Sequence, residues 1–218
     1  MKKLCRSLAV LALAFICLGV LPARADSEVE EIFAKVNDLN PGLVDYQAEL
    51  NLDVHAKWAF IPYNPKLAGH YYYKQPDKHK LVLDEAPSFI KNQPSAFGFH
   101  MPNLQKYNAK VTGTSKLNGR DVYEITLLPK QTNSITSMQL WIDCENYTVP
   151  RQITNYKDNG KLTVNASYTT IDDYWVFDRM YCEFSFPKVK VQATASAVYS
   201  NYQFNKGLSD SFFETKKK

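Results

Sequence analysis

Cysteines, histidines and paired carboxylates are the side chains of this sequence that could do chemistry, and their spacing gives them little to do. Beyond the first 25 residues two cysteines remain, Cys144 and Cys182. Neither has a second cysteine or a histidine at metal-ligand spacing. Each stands in an alternating apolar row, Leu140–Ile142–Cys144 and Met180–Cys182–Phe184, which suits an inert core thiol. A disulfide between them would have to cross the interior from non-adjacent strands. His55, His70, His79 and His100 are scattered and read as surface residues. Asp172 and Asp173 look like an acid–base pair. Adjacent strand residues point to opposite faces, however, and between Ile171 and Tyr174 the two read as a turn. There is no G-x-S-x-G, H-E-x-x-H or C-x-x-C motif and no glycine loop to cradle a phosphate. The sequence therefore predicts no catalytic residue, no enzyme, no metal site and no cofactor.

What remains is patterned apolar surface, and the elements that hold it are mostly strands. Ser27–Leu39 has the spacing of one amphipathic helix, with Val29, Ile32, Phe33, Val36 and Leu39 on one face, a Ser27/Glu30 capping box and a stop at Pro41-Gly42. From Val44 to His55 apolar and polar residues alternate without a break, the pattern of a long, curving antiparallel strand with one buried face. Two more strands flank a turn at Pro76, read as the second position of a type I turn. Asn118-Gly119 marks a hairpin, and Asp158-Asn159-Gly160 a second turn. Alternation continues through Met138–Ile142, Met180–Phe186 and an Ala/Thr/Tyr-rich Val189–Phe204. The prediction is about ten antiparallel strands in sequence order behind one helix.

Glu85–Tyr107 breaks the period. Pro87, Pro94, Pro102 and Gly98 interrupt it, yet it carries Phe97, Phe99 and Met101. It reads either as a mobile lid with an apolar underside or as a fixed loop whose aromatics fill the core.

Residues 1–25 have the form of a secretory signal peptide: Lys2, Lys3 and Arg6, an apolar run from Leu8 to Leu21, and Ala23-Arg24-Ala25 as a cleavage site. That leaves residues 26–218 as one exported domain. The chain has 26 basic and 22 acidic residues. Four of the basic ones lie in the signal, so the mature chain carries equal numbers of each. Such a balance gives no reason to expect nucleic acid as a partner.

Three segments resemble the LolA-like family of outer-membrane lipoprotein carriers. The first is the hairpin Tyr71-Tyr72-Tyr73-Lys74-Gln75-Pro76-Asp77-Lys78. The second is Met138-Gln139-Leu140-Trp141-Ile142-Asp143 followed by Pro150-Arg151-Gln152-Ile153. The third is Tyr202–Phe213, with its Asp210-Ser211-Phe212 ending. The resemblance spans most of the mature chain. It implies a mainly β (α+β) fold, an open, strongly curved antiparallel sheet forming an unclosed half-barrel. The N-terminal helix and a short helical or loop insertion would cover its concave face. It also implies a monomeric periplasmic carrier for lipoprotein acyl chains or free lipid, with donor and acceptor proteins in the two membranes. The alternative is a non-catalytic lipid-sensing or regulatory module of the same fold. Burying about 16 methylenes is worth on the order of 12 kcal/mol, so an acyl chain crossing water needs an apolar shelter. By strand parity the candidate lining is Val44, Tyr46, Leu50, Leu52, Leu81, Leu83, Ile125, Leu140, Ile142 and Phe184, with Phe97, Phe99 and Met101 as the lid. Carriers of this family place an arginine before the hairpin proline as part of a lid latch. Gln75 stands there, a neutral amide without the charge such a latch uses.

Overall fold

The structure, a computed structural model, describes residues 23–58, 61–84, 98 and 101–214. Helix α1 (Ala23–Asn37) comes first. Val29, Ile32, Phe33 and Val36 are buried along one stripe, as their spacing requires. The helix starts four residues before the sequence reading, because Ala23-Arg24-Ala25 are good helix formers. Ser27 is therefore inside the helix and not at a capping position. The expected cleavage point after Ala25 falls in the first turn.

Eleven strands follow: β1 (Asp45–Trp58), β2 (Ile61–Tyr63), β3 (Lys66–Lys74), β4 (Lys78–Leu83), β5 (Tyr107–Leu117), β6 (Arg120–Pro129), β7 (Ile135–Asp143), β8 (Arg151–Tyr156), β9 (Lys161–Ile171), β10 (Tyr174–Phe186) and β11 (Val191–Phe204). A short helix α2 (Asp210–Phe213) ends the described chain. The strands form one antiparallel, unclosed sheet in the order β4-β3-β1-β11-β10-β9-β8-β7-β6-β5, with β2 beside the far end of β1.

Sequence order holds from β5 to β11. The sheet then continues through β1, because the two longest strands pair with each other from Tyr46↔Phe204 to Trp58↔Val191. The simple sequence-order sheet is corrected in that respect. The edges are β4 and β5, neighbours in the chain, and the segment joining them holds residues 85–97 and 99–100, outside the described part. Register shifts interrupt four ladders, near Ala48, Thr112, Thr136 and Asp178. Such bulges bend and twist a strand, as a half-barrel requires.

Asn118 and Gly119 both have positive φ, the hairpin geometry that their residue types favour. Asp172 and Asp173 do the same between β9 and β10, which makes the acid pair a turn. The Gln75–Pro76 bond is cis, so the β3–β4 turn is not the type I turn read from sequence.

The core is divided in two. One cluster puts α1 against Ile125, Leu127, Met138, Leu140 and Ile142 of β6 and β7. The other lines β1, β3, β4, β10 and β11 and receives nothing from α1.

Candidate functional site

The part of the inner wall without α1 is built from cross-strand ladders. Leu52–Ala197–Met180–Ala166, Val54–Ala195–Cys182–Val164 and Ala56–Ala193–Phe184–Leu162 run across β1, β11, β10 and β9. From Ala193 to Ala197 this face of β11 contributes only methyl groups, beside Leu52, Val54 and Ala56 on β1 and Met180, Cys182 and Phe184 on β10. The result is a shallow trough along β11, about 13 Å from Ala193 to Ala197 at the usual strand rise, with its floor buried at Ala195 and Ala197 and half-buried at Ala193.

One end of the trough is shut by aromatic rings. The Tyr46 ring lies 5.1 Å from Tyr73 and 5.6 Å from Tyr202. Tyr71 meets Tyr199 at 5.9 Å, and Tyr168 meets Phe177 at 4.9 Å. Their hydroxyls are used internally: Tyr202 donates to the Phe177 carbonyl at 2.6 Å, and Tyr71 is hydrogen-bonded to His79 Nδ1. Burial pushes Tyr46, Tyr71, Tyr168, Tyr199 and Tyr202 above the ordinary tyrosine range, so this wall stays uncharged at any physiological pH. The chain between α1 and β1 closes the same end. There Asn40 donates to the Trp175 carbonyl at 2.9 Å and accepts from its N–H at 2.8 Å, and Leu43 is buried in the cluster. At the opposite end the last ladder, Ala56–Ala193–Phe184–Leu162, is only half-buried, which leaves this end open. A cavity of about 470 Å³ beside it is lined mainly by His55, Lys57, Glu183, Ser185, Gln192 and Thr194, which alternate with the wall residues and face the other side of the sheet.

Gly98, a described residue of the central insertion, rests on this wall. A Cβ at Gly98 would lie 1.8 Å from the Tyr71 hydroxyl and 2.6 Å from its Cζ. Tyr71 is 0% exposed and cannot yield. A few residues on, Met101 packs against the α1 cluster.

A family model described only as "Uncharacterized protein" matches residues 98–217, more than half of the chain. The chain belongs to this family. Among solved structures, a DUF1329 family protein from Desulfovibrio piger superposes with a TM-score of 0.65 at 14% identity, covering 86% of this chain and 96% of that one. A putative outer membrane lipoprotein-sorting protein domain from Vibrio parahaemolyticus gives 0.61 at 15% identity, covering 84% and 94%. A LolA superfamily protein from Nitrosomonas europaea gives 0.57 at 11%, covering 85% and 97%. The fold is LolA-like. A comparison with curated proteins finds no match.

The wall brings together Tyr46, Leu50, Leu52, Leu81 and Leu83, all buried in the first cluster, with Phe184 half-buried at the open end. Ile125, Leu140 and Ile142 are buried too, but under α1 in the other cluster. Strand parity gives a residue's face and not what covers it. Val44 is a correction: it precedes β1, its N–H donates to Asn205 Oδ1 at 2.7 Å, and its side chain is 51% exposed. Phe97 and Phe99 lie outside the described residues.

The sequence reading missed the Ala193–Ala195–Ala197 trough and the tyrosine plug. The alternation of β11 carried the signal for the first. Cys182 is buried in the first cluster, whereas Cys144 is half-buried beyond the end of β7. Burial pushes the Cys182 thiol up to about 12, in keeping with an inert core thiol.

Proposed function

We propose that this chain shelters acyl chains of lipoproteins or lipids during transfer across a cell envelope, as a periplasmic carrier and not as an enzyme. The observation that carries the reading is the uncharged apolar wall that α1 does not cover, which runs from an aromatic plug to a half-buried end at Ala56, Ala193 and Phe184. A linear hydrocarbon needs such a trough and no polar partners. The solved structures named for lipoprotein sorting share the fold and lend further support. On this reading residues 1–25 are removed on export, Tyr46, Leu50, Leu52, Leu81, Leu83 and Phe184 contact the cargo, and the segment around Gly98 is the cover. Ile125, Leu140 and Ile142 anchor α1 instead.

The test is binding of a fluorescent acyl probe, together with native mass spectrometry of protein from the exported fraction. Ala193→Leu places a branched side chain in the mouth at a half-buried position. It should weaken the probe about tenfold while the unfolding midpoint moves little. Absence of probe binding and of any co-purified lipid would remove the carrier reading.

A further inference from the structure

The two ends of the half-barrel differ in charge: the open end is lysine-rich, and the other mixes both signs. The registers put the end of β1, the β6–β7, β8–β9 and β10–β11 turns and the start of β5 at the open mouth. These turns and the residues beside them present Lys106, Lys130, Lys157, Lys161, Lys188 and Lys190, all exposed. Among the described residues of these turns the one carboxylate is Asp158, which pairs with Lys188 at 2.8 Å. In and beside its turns the plugged end mixes both signs, with Asp38, Asp77, Asp121, Glu145, Asp172 and Asp173 among Lys74, Lys78, Lys116, Arg120 and Lys206. Apolar side chains stand among the lysines at the mouth. Val189 is 58% exposed, the most of any large apolar side chain described, with Leu128 at 50% and Tyr63 at 38%.

We propose that the open rim docks on an anionic phospholipid surface, with Val189 and Leu128 touching the interfacial layer and the lysines facing the headgroups. The basic residues of the rim are all lysines, without an arginine. Lysine is a flexible point charge suited to a diffuse field, whereas arginine's rigid fork suits fixed carboxylate or phosphate partners and protein hot spots. The lysines are spread around the rim and not gathered at one pocket, which matches a fluid, uniformly charged surface. Docking in this orientation would set the mouth of the trough against the lipid from which an acyl chain leaves. The inference deepens the carrier reading. Its test uses vesicles without cargo, so docking can fail while acyl-probe binding holds, and the reverse.

The experiment is co-sedimentation of the purified chain with vesicles of phosphatidylcholine alone and with about a third phosphatidylglycerol. All variants share residues 1–25, so any contribution from that stretch cancels. The unaltered chain should prefer the anionic vesicles, and 0.5 M NaCl should weaken the preference. Lys130→Glu/Lys157→Glu/Lys190→Glu leaves the Lys188–Asp158 pair intact and should lower partitioning at least about tenfold. Val189→Asp should lower it as well. Lys116→Glu/Lys206→Glu, at the plugged end, should leave it unchanged. Thermal midpoints of all variants confirm folding. Equal partitioning of the rim variant and the unaltered chain overturns the proposal. So does equal binding to neutral vesicles, or binding only to an acidic protein partner.

Discussion

Gly98 owes its place to Tyr71. No side chain larger than hydrogen fits between the insertion's backbone and that buried ring. Gly98→Ala forces either the loop or a fully packed tyrosine to move, an overpacking cost of about 1–3 kcal/mol. Urea denaturation should show that loss. Tyr71→Phe in the same chain should recover part of it by removing the atom 1.8 Å away, though not all, since Cζ remains at 2.6 Å. A Gly98→Ala chain as stable as the parent would mean that the insertion does not rest on the wall. The side chains that matter at this scale are uncharged. The acidic and basic residues that attract notice in the sequence instead do structural work: buried Asp143 is paired with Arg120 and accepts N–H bonds from Glu145 and Asn146. Burial opposes its ionisation, but those bonds outweigh it and hold its pKa below the usual range.

Among the elements, the C-terminal segment acts as a clip. Buried Asp45, the first residue of β1, accepts from the N–H groups of Lys206, Gly207 and Leu208 at 2.8, 3.0 and 3.0 Å. Lys74 and Lys78 then hold Asp210 at 2.7 and 2.8 Å, and the Phe212 ring of α2 packs on Tyr72 at 4.7 Å. Asp45→Ala would strip three N–H groups of their partner and should cost about 3 kcal/mol, measurable by denaturant unfolding. The hydrogen bonds from Lys74 and Lys78 lower the Asp210 pKa to about 2. A carboxylate lowered on folding contributes its stabilisation above its unfolded value, near 4, and loses it as pH falls towards 2. Docking of α2, followed by NMR shifts of Phe212, should therefore weaken between about pH 4 and 2. In Asp210→Asn the docking should already be weakened at neutral pH and should lose that transition.

For the whole molecule, the carrier reading gives the two clusters of one sheet different roles, one in stability and one in binding. Phe33 is buried between α1 and the β6–β7 wall, away from the trough. Phe33→Ala should cost about 3–5 kcal/mol of stability. The protein that remains folded should bind an acyl probe as the parent does. Ala193→Leu should show the opposite pattern. If Phe33→Ala weakens probe binding as strongly as it lowers the unfolding midpoint, the two clusters are one functional unit and the division drawn here fails.

The local pattern determined the stripe of α1, the alternation of β1, the hairpin turns at Asn118-Gly119 and Asp172-Asp173, and the placement of Leu50, Leu52, Leu81 and Leu83 on a buried face. These depend on periods of 3.6 and 2 and on turn residues that tolerate positive φ, which are properties of neighbours along the chain. Tertiary structure decided the rest. The pairing of β1 with β11 joins residues some 150 positions apart, and nothing local encodes it. Only that pairing turns three spaced alanines into a trough. Only the docking of α1 sends Ile125, Leu140 and Ile142 to a different core from Leu50 and Leu52, since strand parity assigns a face but not the element that covers it. The charge balance read from composition likewise hides a lysine-rich rim at one end of the molecule. Successive turns of an antiparallel sheet fall at alternate ends, so lysines spaced along the sequence are brought to one rim when the strands pair.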